Sequence, residues 1–436
     1  MRVLFLNHNL RERGTYFRAF EIARVMVRRG HRSTLLTASP GHWYRPQYET
    51  IDGVRITETP SWNPAINPDD GWGPLDLAYR LWRALVEDCD LVYAFAHPPN
   101  VYFPARLAQL LRRKPLVADW CDLYEGGAFK IRDEFRDYLN LRGWRTTLHR
   151  WTEVVDRRLE RRILRKAKGV TVISRFLERE ALETGVPRER VLRFPSGANL
   201  DAIAPQDKEE CRRALGIDGA GPFLGYIAYY NHDERFFLSS LARVFESHPS
   251  ARMISAALPF TDFLVRENGL EGRLIELGRL PFNEMSVVLG AADVLVLPLR
   301  DNAFNQSRWP NKFGDYLAAG RPIATCAVGD LADYFPPVQA MRKWLAADGD
   351  IVPPESSGTT DPRAPSGAPE DAGRAPLPIG IAAAGAVEDF GDAMSALLDR
   401  PEKWDSMGVA ARETAESLLD WNRIGEQIES FLERCL

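Results

Sequence analysis

Short apolar runs alternate with amphipathic stretches along most of this chain. The run RVLFLN (residues 2–7) is followed by TYFRAFEIARVMVRRG (15–30), in which apolar residues recur three and four positions apart, and by the apolar run HRSTLLTA (31–38). These spacings predict a strand, a helix that ends at Gly30 and a second strand. A strand–helix–strand unit this short implies a parallel sheet.

The same alternation predicts further strands in two series that meet near residue 200. The first series continues with GVRITETP, CDLVYAFAHPPN, PLVADWCDLYEGG, GVTVIS and VLRFPSGANLD. The second comprises PFLGYIAYYNHD, ARMISAAL, RLIELGRL, ADVLVLPL and RPIATCAV, and helical stretches follow it. We therefore predict an α/β fold of two tandem doubly wound Rossmann-like domains that face each other across a cleft, with ligands at the carboxyl ends of the strands.

The domain boundaries follow from these two series. We predict an N-terminal domain in residues 1–200, a C-terminal domain in residues 201–405, and a helix in residues 406–436 that returns to the N-terminal domain. Within the second domain, 13 of the 26 residues of 353–378 are Pro, Gly or Ser, and none is aromatic. Such a segment buries too little apolar surface to offset its ordering entropy, which predicts a disordered surface insertion.

The net charge of −4 hides a difference between the two halves of the chain. Residues 1–200 hold 34 Lys and Arg against 24 Asp and Glu, whereas residues 201–436 hold 22 against 36. A basic first half favours an anionic partner. No helix-turn-helix, zinc-finger or RNP-like pattern accompanies it, so we expect no nucleic acid as partner, while an anionic membrane surface and an anionic acceptor remain open.

Cysteine usage and hydropathy indicate the compartment. The five cysteines are widely spaced and form no CxxC pair, so neither a disulfide framework nor a zinc site is indicated. No run of about 18 apolar residues is present, and the N-terminal run is too short for a signal peptide. We expect a cytoplasmic protein, with a peripheral position on the inner face of the plasma membrane left open.

A basic amphipathic helix is predicted in residues 142–168, where ten residues are Lys or Arg and three are Asp or Glu. Its apolar residues recur at helical spacing: Trp151, Val154, Val155, Leu159 and Ile163. Two interpretations remain open, a peripheral membrane contact and an apolar stripe that faces the core. The second is favoured, because a helix that leads into the strand GVTVIS should pack on the sheet.

Polar residues that follow predicted strands of the first domain are candidates for the ligand crevice. Gly14 lies in the loop after the first strand, where the absence of a Cβ permits close approach of a ligand. His97 ends the fourth strand, and Asp122 ends the fifth, with Asp119 three residues before it. Structural explanations also remain open: a lone histidine is commonly a satisfied loop residue, and an aspartate here commonly caps a helix.

In the second domain, SRWPNKFGDYLAAGRPIAT (307–325) carries charges at the start of a short helix. The helix is predicted to open at Pro310, and Arg308, Lys312 and Asp315 lie beside or within its first turns. Cations at a helix N-terminus suit an anionic ligand such as a phosphate. An internal Lys312–Asp315 ion pair is the alternative.

Several motifs, taken in this order, resemble the retaining family-4 glycosyltransferases of the GT-B fold. They are the glycine loop after the first strand, RGHRSTLLT, VISRFLE, FPSGANLD and AADVLVLPL followed by KFGDYLAAGRPIA. The resemblance covers nearly the whole chain apart from 353–378. It implies transfer of a sugar from a nucleoside-diphosphate donor to a hydroxyl of a glycan or lipid-linked acceptor, with retention of configuration and without a metal ion or other cofactor. Envelope polysaccharide, glycolipid or other glycan synthesis is the expected setting.

The resemblance also implies a role for Asp315. In this family a helix of the second domain carries a Glu-x7-Glu motif, whose second Glu binds the ribose hydroxyls of the donor. Asp315 stands at that position, and Ser307 replaces the first Glu. The basic pair that the family places after the first strand of this domain is reduced to Arg235. Arg308 and Lys312 therefore become the candidates that stabilise the leaving diphosphate.

Related enzymes carry a His or Asp near the fifth-strand loop that positions the acceptor hydroxyl. This implies that role for Asp122, with Asp119 as second choice and with Gly14 and His97 on the acceptor side. The further donor-side candidates are Ser307, Asn311, Gly225, Tyr229, Tyr230, Asn302 and Asn305. The two tyrosines are more often packing aromatics.

Two other functional classes remain open. One is a different enzyme on the same fold, such as a sugar-nucleotide epimerase or a phosphorylase. The other is a catalytically silent binding protein, which the replacement of the first acid by Ser307 keeps open.

Overall fold

A computed structural model describes residues 1–61, 73–123, 144–219, 221–228, 231, 233–346 and 378–436. The chain divides into two compact units. The first unit comprises Met1–Ser196, Asn302–Trp309 and Trp421–Leu436, and the second comprises Gly197–Asp301 and Pro310–Asp420. Each unit is built on its own sheet.

The first unit contains an eight-stranded sheet within the described residues. Its strands are β1 (Arg2–Leu10), β2 (Arg32–Trp43), β3 (Gln47–Ile51), β4 (Val54–Ser61), β5 (Leu91–Phe95), β6 (Leu116–Trp120), β7 (Gly169–Val172) and β8 (Val191–Arg193). They lie in the order β3-β4-β2-β1-β5-β6-β7-β8. The β3–β4 pair is antiparallel, and the other neighbouring pairs are parallel, as predicted.

Helices connect these strands and cover the sheet. They are α1 (Thr15–Arg28), α2 (Pro74–Val86), α3 (Pro99–Leu111), α4 (Trp144–Lys166) and α5 (Arg175–Glu183), with a 3-10 turn at Arg188–Arg190. In the described part of α4, Ile163 and Leu164 are buried in the core while Arg161, Arg162 and Arg165 are exposed. Of the predicted apolar stripe, Ile163 is buried and Val155 and Leu159 are half-buried, whereas Val154 is 47% exposed. The core-facing interpretation of this basic helix is therefore confirmed only for the end that precedes β7.

The second unit contains a six-stranded parallel sheet within the described residues. Its strands are β9 (Phe223–Ile227), β10 (Arg252–Ala256), β11 (Leu274–Glu276), β12 (Val294–Leu297), β13 (Ile323–Cys326) and β14 (Gly380–Ala383). Their order is β11-β10-β9-β12-β13-β14. The predicted strands are all present, and β14 was not predicted.

Helices of the second unit pack on this sheet. They are α6 (Lys208–Ala214), α7 (Glu234–Ser247), α8 (Asp262–Glu267) and α9 (Met285–Ala291), followed by α11 (Asn311–Ala318), α12 (Val338–Ala346), α13 (Val387–Leu398) and α14 (Trp404–Leu418). Short 3-10 turns occur at Phe282–Glu284, Gly329–Tyr334 and Pro401–Lys403. The intervening helix α10 (Ala303–Ser307) belongs to the first unit.

The division of the chain differs from the predicted boundaries in two respects. Residues 302–309 group with the first unit, although they were assigned to the C-terminal domain. The returning helix is α15 (Trp421–Cys435), and α14, which was partly included in 406–436, belongs to the second unit. The division at residues 196 and 197 lies close to the predicted boundary at 200. Of the predicted insertion 353–378, residues 353–377 lie outside the described residues.

The helix α15 completes the core of the first unit. Its residues Ile424, Ile428 and Phe431 are buried in the same cluster as Val25 of α1 and Phe5 of β1. A Cβ on Gly425 would lie 2.6 Å from a methyl group of Val25, so the absence of a side chain lets α15 approach α1 closely. None of the helices in the described part of the chain combines the length and apolar character that crossing a bilayer requires.

Candidate functional site

The loop after β1 depends on Gly14, as its position in the sequence suggested. Gly14 has φ of 51°, and a Cβ there would lie 2.6 Å from Asn9 Oδ1. That oxygen accepts hydrogen bonds from the backbone N–H of Thr15 at 2.8 Å and from its hydroxyl at 2.6 Å. Any larger residue would disturb this turn, which begins α1 at the carboxyl end of β1.

Asp119 lies within β6 and not in the loop that follows it. Its carboxylate accepts hydrogen bonds from Arg18 Nε at 3.0 and 3.1 Å and from the Thr171 hydroxyl at 2.7 Å. The side chain is fully buried. This carboxylate is held inside the sheet by its partners, and the second-choice role of Asp119 in positioning the acceptor stays a prediction.

Asp122 lies beyond β6, where the sequence placed it, and is half-buried. The pKa of its carboxyl is raised to about 6: burial, the largest cause, and the nearby charge of Asp119 raise this pKa, and together they outweigh the positive charges of Arg308 and Arg18, which lower it. The structure thus brings two predicted site residues, Asp122 and Arg308, into one electrostatic environment. A carboxyl that titrates near neutral pH can accept a hydrogen bond from a hydroxyl or exchange a proton with it.

Ser307 ends α10 and is buried. Its hydroxyl donates to the Phe304 carbonyl at 2.9 Å, and its own carbonyl accepts from the Ser174 hydroxyl at 2.6 Å. The prediction of Ser307 as a donor ligand is not supported by this geometry, because its hydroxyl closes the turn of its own helix. Ser174 caps α5 through a bond from Leu177 N–H and so ties α10 to α5.

Asn302, also predicted on the donor side, is the N-cap of α10. Its side-chain oxygen accepts from the Asn305 backbone N–H at 2.9 Å. The Asn305 side chain is buried. The Arg308 guanidinium carbon lies 4.5 Å from the centre of the Phe304 ring, so the ring orients the arginine that follows this helix.

His97 is buried after β5, and His8 is buried near the end of β1. Burial lowers the pKa of His97 to about 3 and that of His8 to about 3, so both imidazoles are neutral at pH 7. Glu160 Oε1 lies 4.0 Å from His97 Nδ1. The predicted place of His97 at the strand end is confirmed, and its acceptor role stays a prediction.

In the second unit, α11 carries Lys312 and Asp315 and is locked to the sheet by Tyr316. The Tyr316 hydroxyl donates to the Val296 carbonyl at 3.2 Å and accepts from the Ile227 N–H at 3.1 Å. Lys312 Nζ lies 4.8 Å from the centre of the Tyr226 ring. Both charged side chains are half-buried on a helix that is fixed in place.

The start of α11 agrees with the sequence in outline. The helix was predicted to open at Pro310 and begins one residue later, with Pro310 as its N-cap and Asn311 as an exposed first residue. Arg235, the remnant of the family's basic pair, forms an exposed ion pair with Glu267 at 2.7 Å. A role for it with a phosphate would require that pair to open.

Gly225, a donor-side candidate from the sequence, does not lie in the loop after the first strand of the second unit. It lies in the middle of β9, where a Cβ would come within 2.5 Å of Ala292 Cβ and 2.8 Å of a Leu295 methyl group. The missing side chain lets α9 and β12 pack against the strand. Tyr229 and Tyr230 lie outside the described residues.

Comparisons with known proteins agree with this architecture. Residues 13–197 match the family model of the glycosyl transferase 4-like domain. Over 204 residues the chain is 26% identical to a 2-deoxystreptamine glucosyltransferase from Streptomyces kanamyceticus, and this match covers 44% of the chain and 51%, about half, of that relative.

Solved structures extend the similarity to both units. Sucrose-phosphate synthase from Thermosynechococcus elongatus has a TM-score of 0.67 at 15% identity, over 100% of this chain and 99% of that chain. The Anabaena protein HepE in complex with UDP-glucose has a TM-score of 0.64 at 13% identity, over 99% of each chain. Residues 13–197 are thus similar to the glycosyl transferase 4-like domain, and the chain has the GT-B fold. The predicted fold class is thereby confirmed, as is the resemblance to GT-B glycosyltransferases of this group, while retention of configuration stays a prediction.

Two residues that support the candidate site in the first unit were not predicted from the sequence. Arg18 lies on the buried face of α1 and bonds to Asp119, and Ser174 holds the segment that carries Arg308. The burial of Arg18 could have been predicted, because Arg18 shares a helical face with the apolar residues of α1. From the sequence alone, Ser174 resembles any serine that caps a helix. Its hydrogen bond to the Ser307 carbonyl joins residues 133 positions apart and forms only in the folded chain.

Proposed function

We propose that this protein is a retaining, hexosyltransferase-type glycosyltransferase. It moves a sugar from a nucleoside-diphosphate donor to a hydroxyl acceptor in glycan, glycolipid or envelope polysaccharide synthesis. The observation that carries the proposal is the pair Asp122 and Arg308. A carboxyl whose pKa burial raises to about 6 shares its environment with an arginine, at the strand end of a glycosyl transferase 4-like domain.

We assign the donor to the second unit and the acceptor to the first. The UDP-glucose bound to HepE supports a uridine nucleotide as donor. Asp315 has two carboxylate oxygens, which suit the adjacent hydroxyls of a ribose. The name of the Streptomyces relative supports an aminocyclitol as one acceptor to test beside glycan and lipid-linked acceptors.

In the proposed reaction, the bond between the anomeric carbon and the diphosphate oxygen breaks while the acceptor oxygen bonds to that carbon on the same face. The acceptor proton passes to the leaving phosphate oxygen. Lys312 and Arg308 supply positive charge to the diphosphate as its negative charge grows. Asp122, ionised above pH 6, accepts the hydrogen bond of the acceptor hydroxyl and orients it.

A panel of nucleotide sugars tests this proposal. Purified full-length protein is incubated with UDP-, ADP-, GDP- and dTDP-sugars, with and without candidate acceptors, and the released nucleoside diphosphate is measured. Release that rises with one acceptor supports transfer, and the anomeric proton coupling in the product reports retention. Donor binding by calorimetry without any release would identify a silent binding protein, and conversion of the donor without acceptor would favour the epimerase alternative.

A further inference from the structure

A cavity of about 690 Å³ lies in the first unit, at the amino ends of β6, β7 and β8. We call it the amino-edge cavity and define it by six lining cations: Arg113, Lys114, Lys166, Lys168, Arg190 and Arg434. Lys168 directly precedes β7, and Arg190 directly precedes β8. Asp122 and Ser174 follow the opposite ends of these strands, so the cavity is separate from the candidate site described above.

The charge of this cavity is strongly positive. Glu189 is the one acidic side chain among its lining residues in the described part of the chain. Within that same part, none of the six cations has an ion-pair partner within 4.0 Å. Neighbouring arginines behave differently: Arg188 pairs with Glu178, and Arg29 pairs with Glu429 at 2.5 Å. Six like charges gathered in one concave surface repel one another and favour an anion between them.

Hydrogen bonds and close packing hold the walls of the amino-edge cavity in place. Gln109 Nε2 donates to the Lys166 carbonyl at 2.8 Å and so joins α3 to α4. The Lys168 N–H donates to the Leu116 carbonyl at 2.8 Å. Phe431 and Cys435 pack against Gly169, where a Cβ would lie 2.6 Å from Cys435 Sγ. The cations therefore project from a framework that needs no rearrangement to receive a ligand.

We propose that the amino-edge cavity binds a phosphate-bearing anion with more than one negative charge. Arginine guanidinium groups offer paired donors that match phosphate oxygens, and lysines add compact charge. The volume is that of a small-molecule site, large enough for a diphosphate. Such a ligand occurs free in solution or as the headgroup of an anionic lipid. Leu110 and Leu111, which precede Arg113 in the chain, are 65% and 67% exposed. Exposed apolar side chains beside a basic cavity suit a membrane surface, so the lipid source is tested separately.

The test uses the full chain and a matched pair of triple variants. The cavity variant is Lys114→Ala/Lys168→Ala/Arg190→Ala. The control is Arg45→Ala/Arg213→Ala/Arg266→Ala, which removes the same charge from exposed positions that do not line the cavity. Pyrophosphate binding is measured by calorimetry at low salt, and sedimentation is measured with phosphatidylcholine vesicles with and without cardiolipin, whose headgroup carries two phosphates. All six positions are exposed or half-buried, and thermal unfolding checks that each variant folds.

We expect the cavity variant to bind at least one probe about tenfold more weakly or worse, because it loses three charged donors, while the control stays within about twofold. Loss of pyrophosphate binding alone identifies a soluble ligand, and loss of cardiolipin-dependent sedimentation identifies a lipid headgroup. The proposal is overturned if neither probe binds, if the cavity variant binds both as wild type does, or if the control loses as much. Should the cavity variant not fold, Lys166→Ala/Arg434→Ala replaces it with the same expectations.

Discussion

Arg18 and Asp119 form a buried ion pair in which the guanidinium Nε lies 3.0 and 3.1 Å from the two carboxylate oxygens. The residues are 101 positions apart and join α1 to β6. Arg18 also donates to the Phe194 carbonyl at 3.4 Å and lies 4.2 Å above the Phe194 ring. The pair therefore fixes the strand that leads directly to Asp122.

Removing one partner should destabilise the fold. Asp119→Ala leaves a buried arginine charge uncompensated, and we expect a loss of about 3–5 kcal/mol in the free energy of unfolding. Urea unfolding measures it. The double variant Arg18→Met/Asp119→Leu removes both charges and should recover much of that loss. A loss below about 1 kcal/mol for Asp119→Ala would show that the pair contributes little.

Asp122 should impose a pH dependence on both stability and turnover. Its folded pKa of about 6 lies above the ordinary value, so between about pH 4 and pH 6 the folded state keeps a proton that the unfolded state releases. Wild-type stability relative to Asp122→Asn should therefore fall as pH rises through that window and then level off. Chemical unfolding at a series of pH values measures this difference, and a pH-independent difference would refute the raised pKa.

The same carboxyl must be ionised to accept a hydrogen bond from the acceptor. Transfer by the wild type should rise with pH to a plateau above about 6. Asp122→Asn should lower kcat by about 10²-fold or more and should lose this acidic limb. Initial rates at saturating donor test it. A variant with the wild-type profile would remove Asp122 from the mechanism.

Lys312 should contribute to turnover more than to folding. Lys312→Ala is expected to lower kcat by an amount that corresponds to about 2–4 kcal/mol, because it removes positive charge from the leaving diphosphate. Lys403→Ala is a matched control, since Lys403 Nζ also lies over an aromatic ring, 4.6 Å from the centre of Trp344. Intact turnover in both Arg308→Ala and Lys312→Ala would contradict the proposed leaving-group site.

Asp315 should affect donor binding. Asp315→Ala removes the proposed ribose contact, so we expect the KM for the nucleotide sugar to rise about tenfold with a smaller change in kcat. The exposed Asp262, at the start of α8, gives a control of equal charge in the variant Asp262→Ala. Unchanged donor affinity of Asp315→Ala in calorimetry would exclude the ribose assignment.

The strands were predictable where apolar runs were long enough to show a period. Strand β14 was missed because its sequence GIAA contains small residues that have little strand preference. It joins the sheet since Gly380 lies so close to Ile323 of β13 that no side chain would fit. Strand β3 was missed as well, because its residues are mostly exposed and its sequence QYETI has no apolar run.

The candidate site was predictable where a residue lies beyond a strand end, as with Gly14, His97 and Asp122. Asp119 and Gly225 lie inside strands, and periodicity does not fix strand ends to within a few residues. Their roles depend on partners distant in sequence, which are Arg18 for Asp119 and Ala292 for Gly225. The same holds for Ser307, whose carbonyl bonds to a serine 133 positions away.

The core of the first unit combines the beginning of the chain with α15, which is near its end. Arg29 and Glu429, which form an ion pair, are 400 positions apart, and Phe431 shares a core with Val3 and Phe5. During translation, residues 1–196 are synthesised long before α15. The apolar surface that α15 covers therefore stays uncovered until the second unit has been synthesised. We therefore expect the first unit to be prone to misfolding and to chaperone binding while the second unit is being synthesised. Its core can be completed only after translation has reached Cys435.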